Sequence, residues 1–258
     1  LDRPLADGTE ALFLPVDGMP RIVGDPEGNA HAFWIAEPEE DSRATPLMYA
    51  QMPAGRASWS NARVVAESAA GFDVAIDSDG WLYLAYSRNI HTPNAPSAIV
   101  FQRSNSGGDR WGGASTIDSS LYYRTALAET LGIRIAADAE GLVVLTWNDP
   151  TTGQGRLAQS EDLGDTWSEV AGLGDDDAPA ANARAFIVQQ GTQEETRSAA
   201  LLLWEGVDGL GGCALYQAPL DDVVETASGD RVLEALNACP DLAGERLLPL
   251  DSEQVALL

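Results

Sequence analysis

The chain contains no lysine. All 15 of its basic residues are arginine, set against 40 acidic ones, for a net charge of −25. A surface this negative repels nucleic-acid phosphates and anionic lipid, so neither is an expected partner, and the charge reads first as a solubility device. Histidine and cysteine are nearly as scarce. His31 and His91 are the only histidines, and Cys213 and Cys239 are the only cysteines. No zinc site with nitrogen or sulfur ligands is expected from so few donors at such spacing. Uncharged apolar runs of about 18 residues are also missing, so no membrane-crossing helix is expected. The chain begins at Leu1 rather than methionine, which leaves open a leader removed upstream. What it does have is 258 residues, 45% of them hydrophobic. That suffices for one large all-β domain or for two smaller ones.

The chain repeats itself. Asp25, Glu27 and Gly28 are followed by Trp34; Asp77, Asp79 and Gly80 by Tyr86; Asp138, Glu140 and Gly141 by Trp147. The pattern D-x-[DE]-G-x5-[WY] thus recurs at intervals of 52 and 61 residues. Apolar residues flank each acidic-glycine tetrapeptide, as with Val74 to Ile76 before one and Trp81 to Tyr86 after it. An acidic turn ending in glycine between two such runs predicts a β-hairpin.

A second element lies downstream in each unit. Ser160, Asp162, Gly164, Thr166 and Trp167 complete S-x-D-x-G-x-T-W. Ser104, Gly108 and Trp111 repeat it, with Ser106 and Arg110 at the aspartate and threonine positions. In the first unit only Met52 and Trp59 keep the spacing. The octapeptide resembles the Asp-box, or BNR repeat, of the sialidase superfamily, and the resemblance covers roughly residues 20 to 258. It implies an all-β fold, a β-propeller of four-stranded antiparallel blades. The blades are expected near 20–66, 72–118, 132–171 and 184–237, with part of a fifth at 246–258. In the fourth unit Trp204 stands 57 residues after Trp147, but Ala218 and Glu225 replace the serine and tryptophan of the octapeptide. Asp251 to Leu258 copies the start of the third unit, with Gln254 for glycine. The leading segment, 1–19, holds a run at 11–16 suited to a strand that closes the ring. On this register the chain stops inside a blade. A longer propeller of five, six or more blades, other material completing the ring, and an unrelated C-terminal ending all remain open.

The octapeptide identifies fold more than function. Its Ser, Asp and Thr side chains are expected to bond their own backbone, Gly164 to supply a positive φ, and the tryptophans to pack between blades. Asp77 to Gly80 has the opening of a calcium loop, yet Trp81 to Tyr83 follow at strand spacing where later oxygen ligands would be needed. No cofactor is expected, and calcium is the one ion these acidic turns leave open; the run Asp175 to Asp177 reads as a solvated loop. Trp34, Tyr86, Trp147 and Trp204 are expected in the inter-blade core. Cys213 opens one strand of the fourth unit and Cys239 follows its antiparallel neighbour, which predicts a disulfide if the compartment is oxidising.

A ligand site is expected where second strands pass into third strands, and where one blade passes into the next. Those loops carry Glu37, Arg43, Arg88, His91, Tyr122, Tyr123, Arg124, Asn148, Asp149 and Glu205. Arginine and aromatic side chains there suit carboxylates or sugars. A sialidase would need three arginines, a Tyr–Glu nucleophile and an acid. Arg21, with Ile22 beside it, partly matches the first arginine segment, but Arg134 and Ile135 repeat the pattern; Glu37, Glu40 and Asp41 are acids by location only. The expectation is therefore a non-catalytic, secreted or cell-surface propeller binding glycan or an extracellular protein. A sialidase-like glycoside hydrolase and a purely architectural blade array are the alternatives.

Overall fold

A computed structural model describes residues 20–38, 44–89, 97–126, 128–174, 180–191, 196–207, 213–221, 230–234, 247–249 and 255–257. Among the described residues it is mostly β, with a 3-10 turn at Leu121–Thr125, an α-turn at Ala128–Leu131 and helical residues at 220–221. The chain divides into two compact units, Leu1–Thr125 and Ala126–Leu258.

The first unit contains two four-stranded antiparallel meanders. One runs β1 (Arg21–Gly24), β2 (Ala30–Ile35), β3 (Leu47–Met52) and β4 (Arg63–Ala66). The other runs β5 (Ala69–Ile76), β6 (Leu82–Arg88), β7 (Ser97–Ser104) and β8 (Ser115–Ser120). Each second strand has neighbours on both sides and sheet packing on at least one face, so β6 is buried from Leu82 through Ser87. Phe33, Leu47 and Tyr49 of the first sheet meet Leu82, Leu84, Tyr86 and Val100 of the second in one core. Alternate residues of β2 point the other way, and Trp34 packs there with Met48 and Trp59.

The second unit repeats the plan with β9 (Arg134–Ala137), β10 (Val143–Asn148), β11 (Gly155–Ser160) and β12 (Ala171–Gly172). Its second sheet is β13 (Ala180–Gly191), β14 (Thr196–Val207), β15 (Cys213–Pro219) and β16 (Asp230–Glu234). A hairpin of β17 (Leu247–Pro249) and β18 (Val255–Leu257) follows. Val144 and Leu157 pack against Ala200, Leu202 and Trp204. Trp34, Tyr86, Trp147 and Trp204 are all buried, each on the second strand of its sheet. The leading run 11–16, the acidic run 175–177, Glu225 and Cys239 lie outside the described residues, as does the side chain of Cys213.

Candidate functional site

In the first three sheets the two ends differ in chemistry. At one end the first and second strands are joined by the acidic turn. In the third sheet Asp138 Oδ1 accepts from the backbone N–H groups of Glu140, Gly141 and Leu142 at 2.9, 3.0 and 3.0 Å. In the second, Asp77 Oδ1 accepts from Asp79 and Trp81, and its Oδ2 takes the hydroxyl of Tyr83 at 2.7 Å. In the first, Asp25 holds Asn29 by its backbone and side-chain N–H groups, and its Oδ2 lies 3.1 Å from His31 Nε2. Each of these carboxylates holds its own turn, although Asp138 Oδ2 is buried without a hydrogen-bond partner among the described residues, and no cluster of metal-ligating side chains occurs among the described residues.

The octapeptide closes the same end between the third and fourth strands. Ser160 Oγ accepts from Gly164 N at 2.8 Å and donates to Asp162 Oδ1 at 2.7 Å. Asp162 accepts from Thr166 N and from Thr166 Oγ1, at 2.8 and 2.6 Å. Those bonds to Thr166, with Ser160 adding another, hold the Asp162 carboxyl down to about 2. In the degenerate copy Ser104 Oγ takes Gly108 N, and Ser106 Oγ takes Arg110 N, so a hydroxyl does the aspartate's work. One backbone bond closes all three turns: Ser60 N to Gln51 O, Gly112 N to Arg103 O, and Ser168 N to Gln159 O. The first copy has lost its serine and aspartate but keeps that closure.

This end also joins the sheets of the first unit. Tyr49 donates to Gly107 O at 2.5 Å, and His31 Nδ1 lies 2.8 Å from its hydroxyl. Burial pushes the Tyr49 hydroxyl up to about 12, although Arg63, over its ring at 5.0 Å, acts in the opposite direction. Trp111 packs edge-on against Phe33 and Tyr49. Trp167 turns its indole N–H back onto Gly164 O of its own turn.

The opposite end carries the polar cluster that resembles a site. Asn148 ends β10, and its Nδ2 donates to Thr130 O at 3.2 Å and to Asn182 Oδ1 at 2.8 Å. Asn182 returns its backbone N–H to Asn148 Oδ1 at 2.9 Å and passes its Nδ2 to Glu205 Oε2 at 2.8 Å. Asn148 and Glu205 are buried. Asn182 has a φ of 52°, in a β-bulge between Ala181 and Arg184. Asparagine tolerates that left-handed conformation better than other side-chain-bearing residues. The approach is close, because a Cβ on Gly132 would sit 3.0 Å from Asn148 Nδ2 and 3.2 Å from Asn182 Oδ1. Asp149, next in the chain, accepts from Thr151 N, Thr152 N and Arg156 Nη2. Burial alone would raise its pKa, but these bonds outweigh it and hold the carboxyl below its ordinary value.

Asn148, Asp149 and Glu205 of the sequence candidates are thus found at this end of the second unit. Asn182 couples Asn148 to Glu205, and the only sequence signal for it is its place in a loop expected between blades. In the first unit Glu37 is exposed, and Arg88 reaches Thr116 Oγ1 at 3.5 Å. Tyr122 is 63% exposed on the 3-10 turn. Tyr123 is turned inward: its ring is buried and its hydroxyl donates to Asp118 Oδ2 at 2.6 Å, which anchors the turn. Arg21 Nε pairs with Asp73 Oδ1 at 3.3 Å, so its guanidinium already has a carboxylate. Glu40, Asp41, Arg43 and His91 lie outside the described residues, as does the side chain of Arg124.

No family model matches the chain, and no curated protein matches it in sequence. Solved structures do resemble it. A protein of unknown function from Dyadobacter fermentans superposes with a TM-score of 0.54 at 12% identity, over 95% of this chain and 76% of that one. An ulvan lyase of polysaccharide lyase family PL25, bound to a GlcA(1-4)Rha3S unit, superposes with a TM-score of 0.57 at 12% identity. That match covers 94% of this chain and 63% of the lyase, so the chain spans less than two thirds of the lyase's length. A GH43 endo-arabinanase from Bacillus licheniformis aligns over 95% of each chain at 12% identity, with a TM-score of 0.46 that carries no weight. At such identities the likeness concerns fold alone. The fold is an all-β propeller type built from four-stranded antiparallel blades.

Proposed function

We propose that this chain is a non-catalytic recognition propeller, secreted or displayed at a cell surface, whose ligand is a glycan. The observation that carries the reading is the Asn148–Asn182–Glu205 ladder. Amide and carboxylate groups, fixed by one another before a ligand arrives, suit hydroxyls that both donate and accept. Asn182 Nδ2 gives one N–H to Glu205 and carries a second. The name of one fold neighbour, an ulvan lyase with bound saccharide, is consistent with this reading. We also read the two octapeptide turns as Asp-boxes of the sialidase superfamily, a reading supported by the matching bonds at Ser160 and Ser104.

The hydrolase alternative fits less well. Arg21 is paired with Asp73, and the Asp149 carboxyl is held low, where a general acid needs a raised pKa. The test is a glycan array probed with the whole chain and with Asn182→Ala. Binding by the parent and at least tenfold weaker binding by the variant are expected, with the bound glycan recovered intact. An empty array, or release of shorter sugars on incubation, would overturn the proposal.

A further inference from the structure

A buried chain of hydrogen bonds crosses from the first sheet to the second. Asp25 Oδ2 lies 3.1 Å from His31 Nε2, His31 Nδ1 lies 2.8 Å from the Tyr49 hydroxyl, and that hydroxyl reaches Gly107 O at 2.5 Å. Asp25, His31 and Tyr49 belong to the first sheet and its acidic turn, whereas Gly107 sits in the turn between β7 and β8 of the second. The His31 side chain is fully buried and that of Asp25 nearly so.

Every proton in this chain can be placed by elimination. A carbonyl oxygen only accepts, so Tyr49 gives its single hydroxyl proton to Gly107. Burial pushes that hydroxyl up to about 12, which keeps the proton in place through the neutral range. The hydroxyl then has only lone pairs to offer His31, so Nδ1 must carry a proton. At the other end Asp25 Oδ2 also accepts from Asn29 Nδ2 at 2.6 Å, and its Oδ1 accepts from Asn29 N at 2.7 Å. Burial alone would raise this carboxyl, but the bonds from Asn29 and the contact with His31 outweigh it and hold the carboxyl below its ordinary value. An ionised carboxylate only accepts, so Nε2 must carry a proton as well. Both ring nitrogens donate only in the imidazolium; either neutral tautomer sets one lone pair against another in a buried site.

We propose that these groups form a proton-operated clasp, in which protonated His31 ties the first sheet to the octapeptide turn of the second and loss of the proton releases it. When the ring gives up one proton to solvent, Nε2–H stays with the Asp25 carboxylate and Nδ1 becomes an acceptor. The Tyr49 hydroxyl then turns its proton to Nδ1 and lets go of Gly107 O. The surroundings leave this step to His31. Arg63, over the Tyr49 ring at 5.0 Å, has Asp109 at 3.0 Å. Gln51, opposite His31 on β3, is uncharged, and Glu27 lies toward Gly80 of the second sheet. A Cβ on Gly107 would stand 3.8 Å from His31 Cε1, so the turn packs directly on the ring. The clasp also needs Asp25 ionised, so it is closed above the titration of Asp25 and below that of His31. In the second sheet Tyr83 donates straight to Asp77 Oδ2 at 2.7 Å, and no neutral-range proton is involved.

NMR on the whole chain tests this, from about pH 5 upward until the His31 ring has titrated. Two-bond 1H–15N correlations distinguish the imidazolium from either neutral tautomer, and His91 is the only other histidine to assign. Both His31 nitrogens are expected to be protonated at the acid end, with the ring passing to the Nε2–H tautomer as pH rises. The Gly108 amide, which reports on the Gly107 carbonyl, should shift with the same midpoint, while the amides of Asp79 and Trp81 stay fixed. Tyr49→Phe should abolish the Gly108 shift although His31 still titrates, and His31→Gln should abolish it outright. The parent titration decides even if a variant fails to fold. The proposal is overturned if His31 is neutral at every pH, if its ring titrates without moving Gly108, or if the Gly108 shift persists in Tyr49→Phe. None of these outcomes bears on the glycan array.

Discussion

Asp162 shows what a single side chain does in this fold. Its two oxygens accept from Thr166 N, Thr166 Oγ1 and Ser160 Oγ, and these bonds favour the charged carboxylate. Its pKa is therefore about 2 in the fold, against an ordinary 3.8. A carboxyl depressed on folding stabilises the native state at pH above its unfolded value, and that contribution is lost as pH falls through the folded value. Asp162→Ala is thus expected to lower Tm by a few degrees at pH 7. It should also flatten the loss of stability between pH 4 and 2, as followed by circular dichroism. Glycan binding should survive, because the turn lies at the end of its sheet away from Asn148; a stable variant that lost binding would reverse the assignment of the two ends. His31 is the other instructive residue. It stands six after Asp25, as Tyr83 stands six after Asp77, and each reaches the Oδ2 of its aspartate. These two copies keep the contact while changing the residue; in the third, Val144 stands there and Asp138 Oδ2 has no hydrogen-bond partner among the described residues.

At the scale of elements, the turns join sheets as well as strands. Gly108 has a φ of +78°, and a Cβ there would lie 2.5 Å from Tyr49 Cζ. Gly55 has a comparable φ of +70°, but nothing lies within 4 Å of its Cβ position. Gly55→Ala should cost the left-handed penalty alone, about 1 kcal/mol. Gly108→Ala adds steric overlap with a buried ring and should cost about 3 kcal/mol. Urea unfolding of the two variants measures the difference, and equal costs would show that Tyr49 yields freely. The strands and turns were readable beforehand because their determinants are local. Positive φ at Gly28, Gly80, Gly141 and Gly164 follows from acidic-glycine patterns a few residues long. The burial of the Tyr123 ring is not legible in the sequence, because Asp118, which fastens its hydroxyl, comes within reach only when the 3-10 turn forms.

For the molecule as a whole, charge is the dominant feature. With 40 acidic residues and 15 arginines, the native state repels itself more strongly than the expanded chain does. Raising sodium chloride from about 10 mM to about 500 mM shortens the screening length from roughly 30 Å to a few ångströms. Tm should therefore rise by several degrees across that range, as measured by calorimetry, and a fall would mean that favourable ion pairs outweigh the repulsion. By itself, the sequence determined the β class, the four-stranded unit, the buried aromatic on each second strand and the turn chemistry. Each of these depends on side chains bonding within a few residues, or on a period that repetition makes visible. Only the tertiary structure decided that Asn148 and Glu205 meet through Asn182 and that Arg21 Nε meets Asp73. Those partners lie tens of residues apart and meet only where strands pair or sheets pack, so no local pattern in the chain encodes them.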